Sequence, residues 1–506
     1  MILRELLADY KGPVSLSDDS LWDIDVAGVS PDSRSIGKGD VFVAARGEYH
    51  DGHMFIPQAL SKGAAAVIVD NKEFCRAREP WILVGDSREA CAMMEQIQAG
   101  RPSERMGVIG ITGTNGKTTV SNMIAAILEE AGKKIGLIGT IHNRIGEQTQ
   151  KTDLTTPGSG QLAALLGRMA DAEVDYAIME VSSHALDQRR IAGIEFDLAV
   201  FTNLSQDHLD YHGTMDEYFK AKSKLFTGLK AKGKKRRVKA AIINTDDKAG
   251  AAIADFCEVS VISYGLGAGR SLRATDIELS PEGIRYKLHI GQRVCDIKMR
   301  LHGRFNVYNS LAAIGAALTE KIDIDTIIAA LEKMEPVPGR FQRVSPPETD
   351  GTEDIDFQVY IDYSHTPDSL EKCVSAAKEM RAGKVICVFG AGGHRDATKR
   401  PLMGEVGARL SDIAIVTSDN PRDEEPMDII NDILSGVKSP SSKEKVMVEP
   451  DRSKAITLAI NLARTGDIVL ICGKGHEDYQ IIGDTKYPFD DYKHAREAMR
   501  ALRGSI

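Results

Sequence analysis

"MGVIGITGTNGKTTV", Met106 to Val120, passes without interruption from an apolar, strand-like run through a glycine turn into a helix-forming segment. Strand, glycine turn and helix in that order make a phosphate-binding loop. Gly113 and Gly116 let backbone N–H groups turn inward around phosphate oxygens, and the helix amino terminus adds positive potential. Lys117 is placed to reach terminal phosphates and Thr118 to ligate magnesium. The loop reads G-x-x-G-K-T, and Ile111 stands five residues before Gly116, so the longer G-x-x-x-x-G-K-[ST] pattern is met only in part. Gly113, Thr114, Asn115, Gly116, Lys117, Thr118 and Thr119 are the candidate nucleotide-binding loop.

Working outward, KIGLIGT, DYAIMEV, DLAVFTNL and AAIINTDD are further apolar runs separated by helical segments, which predicts a mostly parallel sheet covered by helices. Between Arg273 and Leu301 residues alternate as in antiparallel strands, with a hairpin at SPEG; a helix is expected near Asn306, and MEPVPG breaks the pattern. A second series, VYIDYSH, KVICVFGAGG, DIAIVTSDN, KVMVE and DIVLICGKG, predicts a second doubly wound sheet. The expected fold is α/β in three domains: a small α/β domain over 1–105, a central P-loop ATPase-like domain over 106–337 and a Rossmann-like domain over 338–506.

The chain has 506 residues, 42% apolar and 27% charged, as expected of a soluble globular protein too long for one core. No apolar run approaches the ~20 residues that span a bilayer, so a cytoplasmic protein without membrane insertion is expected. Seven cysteines without a Cys-x-x-Cys pair suggest reduced thiols, neither a zinc site nor a disulfide framework. A formal net charge of -9 argues against nucleic-acid binding, and the basic run Lys230 to Lys239 reads as a solvated helix end or loop rather than a polyanion site.

Ligands in doubly wound sheets bind beyond the carboxyl ends of the strands, where GTNGKTT, EVSSH, TNLSQDH, DYSHTPD, GAGGHRD, SDNPR and GKGHED all fall. Glu180, ending DYAIMEV, is the natural carboxylate for phosphate-bound magnesium, which needs hard oxygen ligands. His208, beside Asp207, fits either a magnesium site or plain structural use. His208 and His212 lie at i, i+4, but there is no H-E-x-x-H and no third zinc partner. The adjacent Ser-Ser-His at 182–184 suits substrate hydrogen bonding better than a nucleophile with its base. GAGGHR and GLGAGR carry arginine where a dinucleotide fingerprint needs its last glycine, so NAD is not expected.

GTNGKTT, EVSSHALDQRR, NLSQDHLDYHG, HGRFNVYNSLAA, DYSHTPDSLE and GKGHEDYQ, in this order and with an amino-terminal DSR, resemble the Mur ligase family of ATP-dependent amide-bond ligases over nearly the whole chain. The resemblance implies a UDP-sugar domain, a central ATPase and a domain that brings an amino acid. It implies ATP and Mg2+, with a UDP-N-acetylmuramoyl dipeptide as substrate, in cytoplasmic peptidoglycan precursor synthesis by a monomer. In the implied mechanism a D-glutamate γ-carboxylate attacks the ATP γ-phosphate, an amine attacks the resulting acyl phosphate, and inorganic phosphate leaves. The matching residues are Lys117, Thr118 and Glu180 at the phosphates and magnesium, His208 at a second magnesium, and Lys222 as a carbamylated metal-steadying group. Asn306 and Asn309 would approach adenine, Arg340 the phosphates and Asp362 the ribose; an Asn-x-x-Asn at a helix start could equally be a cap. Ser33, Glu48, Tyr49 and His50 would contact uridine, and Thr155, Thr156, Ser182, Gln188 and Arg190 the muramoyl dipeptide.

Within the family, Asp-Asn-Pro-Arg in "SDNPRDE", Ser418 to Glu424, marks members that add meso-diaminopimelate, whereas lysine-adding members lack the arginine. Diaminopimelate carries a second, distal carboxylate, the group a guanidinium reads. Arg422, helped by Arg395, would bind a carboxylate; Asp419, Asn420 and Glu477 would meet an ammonium; Pro421 shapes the turn, and Gly473 offers backbone. The bland alternative is a turn that only redirects the chain. His394 stands where relatives usually have aspartate, Ala397 and Thr398 where Lys-Gly is common, and Ser364 in place of a frequent alanine. The competing readings are use of L-lysine, a folylpolyglutamate synthetase, and an ATP-binding relative without catalysis.

Overall fold

Ile109 and Ile111 of the strand Gly107–Thr112 pack beneath the helices Lys117–Glu130 and Phe305–Thr319. Val108, one residue out of phase, packs on the opposite face with Leu162, Leu166 and Phe226 from the helices Ser159–Asp171 and Met215–Thr227. Burial on both faces is why this strand reads as continuously apolar rather than alternating. The computed structural model describes residues 1–47, 50–345, 356–381 and 383–503.

Gly107–Thr112 lies inside an 11-stranded sheet, flanked in parallel by Tyr176–Glu180 and Leu198–Phe201. The antiparallel strands Leu272–Ser280, Gly283–Ile290 and Arg293–Met299 extend one edge. The other edge ends in a hairpin, His142–Ile145 with Gln148–Lys151, whose polar sequence gives no apolar run from which to predict it.

A 5-stranded sheet precedes this one, with Trp81–Val84, Ala66–Val69, Val41–Val43 and Val29–Ser30 parallel and Val14–Leu16 antiparallel at its edge. A 6-stranded sheet follows it, in the order Gln342–Arg343, Gln358–Asp362, Ile468–Cys472, Val385–Phe389, Ile413–Val416, Val446–Val448. All its pairings are parallel except the first. The carboxyl edges of the central and last sheets meet: Asn115 Nδ2 donates to Asp368 at 3.0 Å, Gln206 Nε2 to Thr398 Oγ1 at 3.1 Å and Arg340 Nη2 to Thr118 Oγ1 at 3.2 Å. No helix among the described residues is long and apolar enough to cross a membrane.

The basic run is less solvated than its composition suggests. Lys235 and Lys239 are buried against Asp197, while Lys234 pairs with Asp9 and Glu104 of the preceding domain. These lysines neutralise carboxylates at the pole opposite the loop cluster; the sequence conceals this because the partners are remote.

Candidate active site

The phosphate loop and the strand ends around it enclose a cavity of about 520 Å³, whose lining includes Lys117, Thr118, Glu180, His208, Arg340 and Asp362. Gly113 has φ +144°, and a Cβ there would stand 1.9 Å from Thr202 Oγ1, so only glycine fits. The Lys117 ammonium donates to the carbonyls of Gly113 and Thr114, both at 2.9 Å. Burial lowers its pKa, with Glu180 and Asp207 opposing.

Parallel pairing sets Glu180 opposite Ile111, beside the loop. Its carboxylate accepts from Thr118 Oγ1 at 2.9 Å and from both the N–H and the hydroxyl of Thr140 at 2.9 Å. Thr140 is a site neighbour that sequence reading missed, since nothing in GTIH marks it. Its hydroxyl also lies 3.1 Å from Thr155 Oγ1. Thr156 Oγ1 donates to the Glu180 carbonyl at 2.8 Å and accepts from Ser182 N at 3.0 Å, while Ser182 caps the helix Ser183–Asp187. Arg190 completes this wall, donating to Thr156 O at 2.9 Å and to Gln188 Oε1.

Lys222 is 1% exposed; its ammonium donates to Gly113 O at 2.8 Å and sits 4.5 Å from the Tyr218 ring centroid, with no salt-bridge partner among the described residues. Burial, reinforced by the Lys117 charge, drives its pKa well below the lysine range. His208, at φ +55°, starts the short helix Leu209–His212, and burial holds its pKa down at about 3, so the imidazole is neutral at pH 7. Its Nε2 lies 3.4 Å from Asp207. Burial alone would raise Asp207, but His365, His208 and Lys399 bring it well below the usual carboxylate range. His365 and Lys399 reach it from the last domain, at 3.8 and 3.9 Å.

Asn309 Nδ2 donates to Asn306 Oδ1 at 2.8 Å, and Asn306 Nδ2 back to His302 O at 2.8 Å. Of the two, Asn309 lines the cavity. The Asp362 carboxylate accepts from Phe341 N at 2.7 Å and from Ser364 Oγ, and burial raises its pKa. Arg340 lies over the Tyr363 ring at 4.5 Å.

Beyond Tyr363 the last domain gathers its own polar loops. Gly393 N donates to Asn420 O at 2.9 Å, tying GAGGHRD to SDNPR, and a Cβ on Gly393 would meet Pro421 O at 2.0 Å. Arg422, at φ +53°, donates through Nη1 to Gly393 O at 2.6 Å. Its guanidinium and the Arg395 side chain flank Gly392, at 3.2 and 3.7 Å from where its Cβ would be. Burial, then the Arg395 charge, lowers the Arg422 pKa. Neither arginine is in a salt bridge with a described residue. Asn420 Nδ2 donates to Glu477 Oε2 at 2.9 Å, and Gly473, at φ +120°, passes against Asp419. Sequence reading missed Lys474, fully buried beneath this cluster, and Arg452, which donates to Asp491 at 2.8 and 2.7 Å and to Cys472 O at 3.0 Å.

In the first domain the Ser33 hydroxyl donates to Gln58 Oε1 at 2.9 Å, His50 is exposed, and Glu48 and Tyr49 lie outside the described residues. A groove between this domain and the central one is lined by Arg46, Asp86, Arg88, Gln188, Arg189 and Tyr211.

A phosphate loop facing a second doubly wound domain, with paired arginines beyond it, defines the class: a nucleotide-using protein of three domains. Family models agree along the chain: the Mur ligase family catalytic domain matches residues 25–96, the Mur ligase middle domain 111–317, and the Mur ligase glutamate ligase domain 339–475. The chain belongs to the Mur ligase family. It is 42% identical over 500 residues to the UDP-N-acetylmuramoyl-L-alanyl-D-glutamate--2,6-diaminopimelate ligase of Syntrophomonas wolfei, covering 99% of each. It is 44% identical over 504 residues to the ligase of the same name from Gloeobacter violaceus, again covering 99% of each. A solved structure of a ligase of that name matches with a TM-score of 0.69 at 31% identity, covering 99% of both chains. A folylpolyglutamate synthase from Mycobacterium tuberculosis, at 19% identity and TM-score 0.61 over 83% of this chain, shares the fold.

Proposed function

We propose that this chain is an ATP-dependent ligase, working in the cytoplasm as a monomer, that joins meso-2,6-diaminopimelate to the D-glutamate γ-carboxylate of UDP-N-acetylmuramoyl-L-alanyl-D-glutamate. The observation that carries the choice of amino acid is the pair Arg395 and Arg422, two side chains flanking Gly392 in one loop cluster, neither in a salt bridge with a described residue. Full-length likeness to ligases of that name supports the rest.

Carboxylates are poor electrophiles, so the γ-carboxylate first attacks the ATP γ-phosphorus, expelling ADP and giving an acyl phosphate. The free amine of the amino acid then attacks that carbonyl, and inorganic phosphate leaves with the former carboxylate oxygen. Lys117, Arg340 and the loop N–H groups hold the phosphates in line, which is most of what phosphoryl transfer asks of a protein. Asn309 and Asp362 hold the nucleoside, with Asn306 orienting Asn309 from behind. Thr155, Thr156, Ser182, Gln188 and Arg190 orient the dipeptide, with Ser33, Glu48, Tyr49 and His50 at the uridine. Domain contact keeps water from the acyl phosphate.

Two hard oxygen donors beside the loop, the Thr118 hydroxyl and the Glu180 carboxylate, suit magnesium shared with phosphates, and the neutral imidazole of His208 lines the same cavity. Magnesium bound there would neutralise phosphate charge. Among the described residues no group of three His, Cys, Asp or Glu side chains could hold a metal by itself. Lys222, with its lowered pKa, supplies the neutral amine that carbon dioxide needs to form a carbamate, an oxygen donor for the same region.

The test is incubation of purified chain with ATP, magnesium, the UDP-dipeptide and meso-diaminopimelate, followed by mass spectrometry. A product heavier by one diaminopimelate less water, formed one-to-one with ADP, is expected; ADP release independent of the amino acid would contradict the reading. Intact mass of the active protein, measured without acid, should show the carbamate on Lys222; an unmodified active enzyme removes that role.

A further inference from the structure

Lys474 is a fully buried cation that neither the nucleotide cavity nor the paired arginines employ. Lys474 follows Gly473, and its side chain turns under the loop cluster rather than out to solvent. Burying an ammonium is costly unless it is paired and hydrogen-bonded. Here its Nζ donates to Asn420 Oδ1 at 3.0 Å and to Glu477 Oε2 at 3.0 Å, and lies 3.9 Å from Asp419 Oδ1.

These contacts fix more than the lysine. Asn420 Oδ1 also accepts from Ile481 N at 2.9 Å, so both its lone pairs are used and the amide cannot flip. Asn420 Nδ2 must therefore face Glu477, where it donates to the same Oε2 that receives Lys474. Glu477 Oε2 thus holds two donors, and Oε1 is the oxygen left to face a ligand. Asp419 and Glu477 against one ammonium leave a single net negative charge, matched to one ligand ammonium. Arg395 and Arg422, flanking Gly392 in the same loop cluster, are there for carboxylates.

We infer that Lys474 is a positioning and specificity-determining residue for the amino-acid substrate, acting through Asn420 and Glu477 without touching the ligand. It locks the carboxylate that receives the ammonium and sets the subsite charge so that an amino acid bearing two carboxylates, one ammonium and a second amine free to react fits. The inference rests on the reading of this cluster as the amino-acid site.

Lys474→Met and Lys474→Gln, the second keeping a donor without the charge, should each raise KM for meso-diaminopimelate by about tenfold or more. KM for ATP and for the UDP-dipeptide should stay within about twofold of the wild type, because those subsites lie elsewhere. In the double variant Lys474→Met/Glu477→Gln the rise should be no larger than in Glu477→Gln alone, since the lysine acts through that carboxylate. An unchanged KM for the amino acid, an equal rise for all three substrates, or failure of both single variants to fold would overturn the inference. A wild type that turns over with no amino acid at all overturns the functional reading instead, and this inference with it.

Discussion

At the scale of single residues, titration separates site from scaffold. Burial, helped by Arg340, holds His476 at about 3 against an ordinary 6.5. Between those values the unfolded chain binds more protons than the folded one, so stability is full above about pH 6.5 and falls as pH drops towards 3. Solvent screening of a partly exposed ring keeps the effect near about 1 kcal/mol. Thermal unfolding should show a lower Tm at pH 5 than at pH 7.5, and His476→Gln should narrow that difference; an equal difference in the variant removes His476 as its source. Lys117 and Glu180 could be picked out in the sequence because each stands at or just beyond a strand end whose chemistry is local, whereas Arg422 became a candidate only through the family resemblance. Thr140, Lys474 and Arg452 could not, because their meaning comes from partners 40, 54 and 39 positions away.

At the scale of elements, the turn after Gly107–Thr112 and the helix after Val446–Val448 make opposite demands. The first needs an absent side chain. Gly113→Ala puts a methyl into Thr202 and Asn203, and should weaken ATP binding by about tenfold or more in equilibrium titration; near-wild-type affinity would mean the loop can shift at little cost. The second needs a charge. Arg452, in the helix Arg452–Leu462, and Asp491, at the start of the helix Asp491–Arg503, are both fully buried and bond each other twice. Asp491→Asn leaves a buried guanidinium without its counter-charge and should cost about 3–5 kcal/mol in denaturant unfolding. A loss below about 1 kcal/mol would show the pair to be replaceable. Period and glycine spacing made the parallel strands legible. The hairpin from His142 to Lys151 escaped notice because its polar residues carry no such period.

At the scale of the whole molecule, function depends on three sheets bringing their loops together. Asp207 belongs to the central domain, yet its neighbours His365 and Lys399 belong to the last, so the reacting region spans a domain junction. Alternating strand and helix segments revealed the three larger sheets in the sequence, but neither the two-stranded sheet of Tyr479–Ile482 and Thr485–Pro488 nor which loops would touch, since contact between domains is set by surfaces rather than by period. In the proposed function, paired guanidiniums beyond this junction choose the amino acid. That role is tested most directly by phosphate release with ATP, magnesium and the UDP-dipeptide, comparing meso-diaminopimelate with L-lysine for the wild type and Arg422→Ala. Turnover with diaminopimelate is expected, with lysine slower by about 10²-fold or more and most of that preference lost in the variant. Equal turnover of the two amino acids by the wild type, or an undiminished preference in Arg422→Ala, would contradict that role.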